Sequence, residues 1–241
     1  TDANIYNYDA NLDIEDKRID SAADEDNWNI RWWALKPVEL KKVLEQIQYE
    51  FCFIFKFRHD GSGSYWFIKD SYSSSDATLK ASDISNLQIN NTPFSEIITD
   101  MRINYQKHPA LDKYISSQTS TDATNNPRKT FGIQAKENIK EVNLDMNVNK
   151  QGNTNVGGGN TNDGFADYYM NIFGTVKKII TCQIINPAKG YSLETGDIIQ
   201  FSNTAGDMPV EPFGDNWTDY YCIINLVRGL GTVKITAREV S

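Results

Sequence analysis

Residues Gly190–Asn203 read GYSLETGDIIQFSN. Their middle, Glu194-Thr195-Gly196-Asp197, is turn-like, and Ile198-Ile199-Gln200-Phe201 is a short apolar run. Gly196 permits a backbone turn that most residues resist, and Asp197 can bond the backbone of that turn. Neither is catalytic in this setting. Both read as structural turn residues that deliver Ile198, Ile199 and Phe201 into a sheet.

Outward from this stretch the chain is β in character. KIITCQII (178–185), GDIIQFSN (196–203), YYCIINLVRG (220–229) and GTVKITAREV (231–240) are four strand candidates with Gly, Asn and Asp between them. RGLGT separates the last two at hairpin length. No βαβ alternation is present, which argues against a doubly wound parallel sheet and for packed sheets or a small barrel. Upstream, Met101, Ile103 and Tyr105 alternate along residues 99–105 and predict a strand packed with the C-terminal strands, ended by His108-Pro109.

The N-terminal half changes period. Trp28, Ile30 and Trp32 alternate as in a half-buried strand. Pro37 suits a first helical turn, and Leu40, Val43, Leu44, Ile47 and Phe51 share one helical face. FCFIFKF, RHDGSGS and YWFIKD then read as strand, turn and strand, so residues 37–70 form a helix plus hairpin. Residues 115–164 are poor in apolar side chains, and 149–164, NKQGNTNVGGGNTNDG, have the composition of a flexible loop. Phe165, Tyr168, Tyr169, Ile172 and Val176 predict a helical stripe interrupted by Gly174.

The 241 residues are enough for one large domain or two small ones. Net charge is -8, and no Lys/Arg block exceeds two, which argues against a phosphate-backbone grip. No run approaches the roughly 18 apolar residues of a membrane span. Residues 1–27 carry nine Asp/Glu against two Lys/Arg and read as a solvated surface; DSAADEDNW lacks the Gly and Glu of a calcium loop. The start, TDANIYNYDA, lacks an initiator Met and reads as following a cleavage or as part of a longer polypeptide.

Candidate chemistry is sparse. Cys52, Cys182 and Cys222 each sit in an apolar run and read as buried, reduced thiols. His59 and His108 are 49 positions apart, with no nucleophile motif or metal spacing near either. NVGGGN lacks the flanking strand, helix and Lys of a phosphate loop. Asp24, Glu25 and Asp26 lie in a charged run that argues for solvent rather than a glycosidase pair. Trp32, Trp33, Trp66 and Trp217 read as packing residues, with a sugar-stacking face as the rival.

KKIITCQIINPAKGYSLETGDIIQFSN followed by YYCIINLVRGLGTVKITAREV resembles the closing segment of phage tail hub proteins, on Leu193, Gly196, Asp197, Ile198 and Phe201, then Tyr220–Leu226 and Val233–Val240. ALKPVELKKVLEQIQYEFCFIFKFRHDGSGSYWFIKD resembles the small α/β domain of such hubs, and NNTPFSEIITDMRINYQKHPA the strand that re-enters their second barrel. The likeness touches roughly residues 28–110 and 165–241. Little precedes residue 28, so most of a first barrel is either absent or lies in an unseen part of the polypeptide. The resemblance implies a β-rich α+β protein: a tube-like antiparallel β-barrel, a small helix-plus-hairpin α/β domain and a loop-rich insertion. Its expected organisation is an acidic segment and strand at 1–35, the α/β domain at 36–93, and a second barrel at 94–241 with the insertion at about 110–176. It further implies a structural virion subunit, not an enzyme, with no cofactor or metal. Such a subunit forms a ring, a trimer in most hubs, at the distal end of the tail after assembly in the host cytoplasm. Its partners are copies of itself, the tail tube, and spike or tail-fibre proteins. DNA passes through the lumen without specific binding, and no membrane is inserted. The alternatives are a carbohydrate-binding adhesion module and a tail-associated cell-wall hydrolase.

Overall fold

A computed structural model of the chain describes residues 30–34, 36–58, 61–68, 72–121, 127–133, 137–147, 165–208 and 217–240. In chain order its elements are α1 (Leu40–Glu50), β1 (Ile54–Phe57), β2 (Gly63–Trp66), β3 (Ala77–Leu79), β4 (Ile84–Asn91), β5 (Asp100–His108) and β6 (Lys113–Thr121). Then come α2 (Pro127–Phe131), β7 (Ile139–Asn143), α3 (Phe165–Phe173), β8 (Lys178–Ile184), α4 (Pro187–Gly190), β9 (Ile198–Phe201), β10 (Tyr220–Arg228) and β11 (Val233–Glu239). The chain is β-rich with few helices. It divides into two compact units: residues 68–93 with 176–241, and residues 1–67 with 94–175.

The first unit is one six-stranded sheet in the order β3-β9-β10-β11-β8-β4. Ile180, Cys182 and Ile184 of β8 and Val233, Ile235 and Ala237 of β11 alternate inward, as period-2 patterning requires. They join Leu79, Leu193, Ile199, Phe201, Trp217, Tyr221 and Ile223 in one core. The Phe201 ring centroid lies 4.8 Å from Trp217 and 5.7 Å from Tyr221. The sheet is curled, and chain connectivity explains why. β3 and β4 are its opposite edges, yet only Lys80 and the 3-10 turn Ala81–Asp83 separate them in sequence. Six flat strands would hold their edges about 24 Å apart. The link from Leu79 to Ile84 reaches at most about 18 Å. The sheet therefore bends into a half-barrel that brings β3 and β4 together. It is not wholly antiparallel: β3 pairs with β9 in parallel, Ala77 opposite Ile199 and Leu79 opposite Phe201.

The second unit contains a two-stranded hairpin, β1 with β2, and a three-stranded sheet in the order β6-β5-β7. The helix and hairpin fall where the sequence pattern puts them. The strand around Met101 does not. β5 pairs antiparallel with β6 and parallel with β7, and it does not join the C-terminal strands. Its alternation is real, since Met101, Ile103 and Tyr105 are buried, but they pack on Val142, Leu144, Phe165, Ala166 and Met170. Periodicity gives which face is buried and not which sheet buries it. α3 ends at Phe173, so Val176 is not on its stripe. A Cβ on Gly174 would stand 2.5 Å from the Met170 carbonyl oxygen, so only glycine closes the helix this tightly. The expected strand at Trp28, Ile30 and Trp32 is a single bridge, Ile30 to Asn147, with Trp28 outside the described residues.

Candidate assembly surfaces

The turn before β9 is built by its own residues. Gly196 has φ +100°, a conformation that strains any L side chain. The Asp197 carboxylate accepts the Glu194 amide at 2.8 Å, and the Asp197 amide donates to the Glu194 carbonyl at 3.2 Å. The turn is also stitched to β10: the Gly196 amide donates to the Ile223 carbonyl at 2.8 Å, and the Ile223 amide donates to Asp197 at 2.9 Å. On the other side, the Ile198 amide donates to the Asp76 carboxylate at 2.7 Å. Leu193, at 2% exposure, anchors the turn in the core. The Leu-x-x-Gly-Asp-Ile-Ile pattern is thus a device for starting a strand between two others.

A second polar knot holds the link between the edge strands. The Asp83 carboxylate accepts the Lys80 amide at 3.0 Å, Asn186 Nδ2 at 2.7 Å and Lys189 Nζ at 2.7 Å. Burial alone would raise this carboxyl; the hydrogen bonds from Lys189, Asn186 and Lys80 outweigh burial and hold it below its ordinary value. Asn186 also caps α4 by accepting the Ala188 amide at 3.1 Å. The tip of the β10–β11 hairpin is clamped: the Tyr191 hydroxyl donates to the Gly229 carbonyl at 2.6 Å and accepts the Gly231 amide at 2.9 Å. Arg228 donates to the Leu193 carbonyl at 2.6 Å. This fixes a turn whose Leu230 is wholly exposed.

In the other unit the decisive residue is one that the sequence pattern did not single out. Glu50 is fully buried, and its carboxylate accepts the amides of Asp145 at 2.9 Å, Met146 at 2.7 Å and Asn147 at 2.7 Å. Gln46 donates to the same carboxylate, and Asn147 Nδ2 donates to the Glu50 carbonyl at 3.1 Å. Three consecutive amides pointing at one carboxylate form an anion-binding nest, here filled from within the chain. Next to it, Lys107 bridges Asp112 at 3.0 Å and Asp145 at 3.1 Å, and its pKa is raised to about 12, chiefly by the Asp112 contact. A lone Glu at a helix end carries no signal for this role; only the fold supplies the three amides.

His108 accepts the Ala110 and Leu111 amides on Nδ1, both at 3.2 Å, and so caps the β5–β6 turn. His59, Asp24, Glu25, Asp26, the NVGGGN stretch and residues 149–164 lie outside the described residues. Cys182 and Cys222 are buried free thiols, and burial pushes the Cys182 thiol up to about 12; Cys52 is only half-buried. Among the described residues no group of three or more His, Cys, Asp or Glu is placed to hold a metal ion. Trp217 is a core residue, Trp33 stacks under Arg31 at 5.0 Å, and Trp32 is exposed. No described helix is long and apolar enough to cross a membrane.

The described surface also carries exposed apolar side chains and a long sheet edge. α1 and β1 expose Leu40, Leu44, Ile54, Phe55 and Phe57. β6 is a nine-residue sheet edge whose only charged residue is Lys113. Among the described residues no strand pairs with its outer edge, and an edge of this length is a template for pairing with another chain.

No family model matches the sequence, and no curated protein matches it. Solved structures do. A chain in the virion of the native gene transfer agent particle is 13% identical, with a TM-score of 0.52 over 83% of this chain and 39% of that one. The tail protein from Neisseria meningitidis MC58 is 11% identical, with a TM-score of 0.47 over 87% of this chain and 57% of that one. Prophage tail protein gp18 from Listeria monocytogenes EGD-e is 11% identical, with a TM-score of 0.42 over 82% and 51%. The chain spans between 39% and 57% of the length of these structures.

Proposed function

We propose that this chain is a structural subunit of a phage-type tail hub, joining the tail tube to spike or fibre proteins. The observation that carries the reading is the fold shared across 83% of the chain with a virion component. The curled sheet supports it further. A half-barrel whose edge strands already approach each other is a short step from a tube wall. The turn residues Gly196 and Asp197 serve that wall by setting the start of β9.

In this reading the subunits form a closed ring of three with the barrels inside. Closure follows from a head-to-tail interface whose rotation returns on itself. The long edge of β6 and the exposed apolar side chains are covered by neighbours. DNA passes through the lumen, so its lining is polar and on balance acidic, as the net charge of -8 allows; a basic lumen would hold phosphates in transit. The chain acts by shape and contact, at the distal end of the particle, without membrane insertion, and performs no chemistry.

Light scattering of the purified chain and gold labelling of the particle test this together. The expected outcome is a mass of three chains and a label at the tail end. A chain that stays monomeric at hundreds of micromolar and labels the capsid shell would overturn it.

A further inference from the structure

We propose that Lys107, at the end of β5, is a positioning residue for α1: its ammonium keeps Glu50 seated in the 145–147 amides by neutralising the Asp145 carboxylate beside it. The β5–β6 turn and the helix are thereby coupled. The inference goes beyond the tail reading and does not depend on it.

α1 needs such a hold. It has 11 residues, fewer than the roughly 12–15 that a helix needs to persist alone in water. Its N-cap residue, Glu39, makes no side-chain capping bond, and Glu50 is its one buried residue. Leu40 and Leu44 are exposed. Tyr49 meets the Phe165 ring at 5.6 Å, and the Gln48 side chain accepts the Phe55 amide at 2.6 Å. The strongest polar fastening is thus at the C-terminal end of the helix, through one carboxylate and three amides.

That carboxylate has a like-charged neighbour. Asp145 donates its amide to Glu50, while its own carboxylate accepts Lys107 Nζ at 3.1 Å and the Tyr114 hydroxyl. One residue is therefore gripped from two sides, by α1 through its backbone and by the β5–β6 hairpin through its side chain. Asp145 pairs with no other described cation. The Tyr114 hydroxyl registers all three charges: burial and the Asp145 carboxylate raise it to about 12, Lys107 opposes the rise and Glu50 adds to it. Without Lys107, a fully buried carboxylate stands near a second carboxylate with no cation to offset the pair. Like charges away from bulk water repel strongly. Glu50 then relieves the repulsion by leaving the amides, and the end of α1 is released.

Lys107 is also shared with the turn. Asp112, whose side chain is 84% exposed, holds the same ammonium at 3.0 Å. Leu111 beside it is exposed as well. What happens at this open turn therefore reaches the helix through one ammonium and one aspartate, and the two arrangements are Glu50 seated and Glu50 released.

Amide exchange of the full chain tests this. Lys107→Met should speed exchange across residues 41–50 by about tenfold, while residues 101–105 of β5 and the strands β8 and β11 hold. Lys107→Arg should leave the rate near that of the parent. The deciding variant combines Lys107→Met with Asp145→Asn. The new side chain keeps the backbone amide for Glu50 and carries no charge, so exchange in α1 should return to within about twofold of the parent. If Lys107 merely braced the hairpin, the second substitution would bring no recovery, and that result overturns the proposal. Unchanged exchange in Lys107→Met overturns it too. Should Lys107→Met fail to fold, Asp145→Asn alone decides: α1 should stay within about twofold of the parent although the ion pair is gone, and a tenfold acceleration with β8 and β11 intact overturns the proposal.

Discussion

Both units have an apolar core, but they differ in what else holds the interior. In the six-stranded unit the centre is apolar: Phe201, Tyr221, Ile199, Ile180 and Ile235 are at most 1% exposed, and the charged groups Asp83 and Asp197 work at turns. In the unit of α1, β5 and α3 a carboxylate sits at 0% exposure and holds three amides. An apolar core spreads its stabilisation over many contacts, each small. A buried carboxylate concentrates it in one side chain whose loss orphans several donors at once. The first design is the easier of the two to read from sequence.

The largest expected effect is Phe201→Ala. Phe201 touches Trp217 and Tyr221 in the core, and its truncation leaves a cavity worth about 3–5 kcal/mol. Urea unfolding followed by Trp fluorescence measures it. A loss below 1 kcal/mol would mean that the core collapses around the gap and that packing there is loose.

Glu50→Ala should follow at about 3 kcal/mol, since the buried amides of Met146 and Asn147 lose their acceptor and that of Asp145 is left to water. Its signature is regional. Amide exchange should accelerate at residues 139–147 and along α1 while β8 and β11 hold. Uniform acceleration in both units would erase the contrast drawn between them. Glu50→Gln keeps one oxygen and should fall between parent and Ala.

The same contrast explains what the sequence made legible. The four C-terminal strands, the helix at residues 40–50 and the hairpin after it follow from period and turn residues. Those signals are local, and the structure uses them locally. The placement of β5 was not legible, because its alternation fits any sheet and its partners β6 and β7 are weakly patterned: KYISSQTST offers only Tyr114 and Ile115 as large apolar residues. Val176 misled because helical spacing runs on past Gly174, where the backbone cannot. The parallel β3–β9 pair was hidden for another reason: three residues, Ala77–Leu79, carry no period at all. Glu50 was the deepest omission. A glutamate among Lys41, Lys42 and Glu45 looks like a solvated face, and only the return of residues 145–147 reveals otherwise.

Within the six-stranded unit the turn before β9 offers a finer comparison. Gly196→Val forces a β-branched residue to φ +100°, at a cost of roughly 2 kcal/mol. Asp197→Ala removes the side-chain hydrogen bond from the Glu194 amide, about 1 kcal/mol, and leaves the backbone bonds to Ile223 in place. Melting temperatures of the two variants check the order. Equal shifts would mean that the side-chain bond, and not the backbone conformation, sets the turn.

The smallest effect is pH-dependent and probes the knot that lets β3 and β4 approach. Asp83 has its carboxyl held below the ordinary value in the fold, so near pH 4 the folded state binds fewer protons than the unfolded one. Its contribution is therefore complete above the unfolded value of about 3.9 and fades as pH falls through the lower folded value. Asp83→Asn keeps a carbonyl oxygen and gives up the charge that meets the partly exposed Lys189, a loss of about 0.5–1 kcal/mol at neutral pH. The difference in urea midpoint between parent and variant should be constant from pH 7 to pH 5 and shrink below pH 4. Lys189→Met should also show a gap that shrinks below pH 4, but to a residual, because Lys189 donates to the Thr78 carbonyl at 2.6 Å as well as to Asp83. A gap that persists unchanged to pH 2 would assign the effect to the shape of the Lys80–Asp83 turn. The charge would then have no part in drawing the sheet edges together.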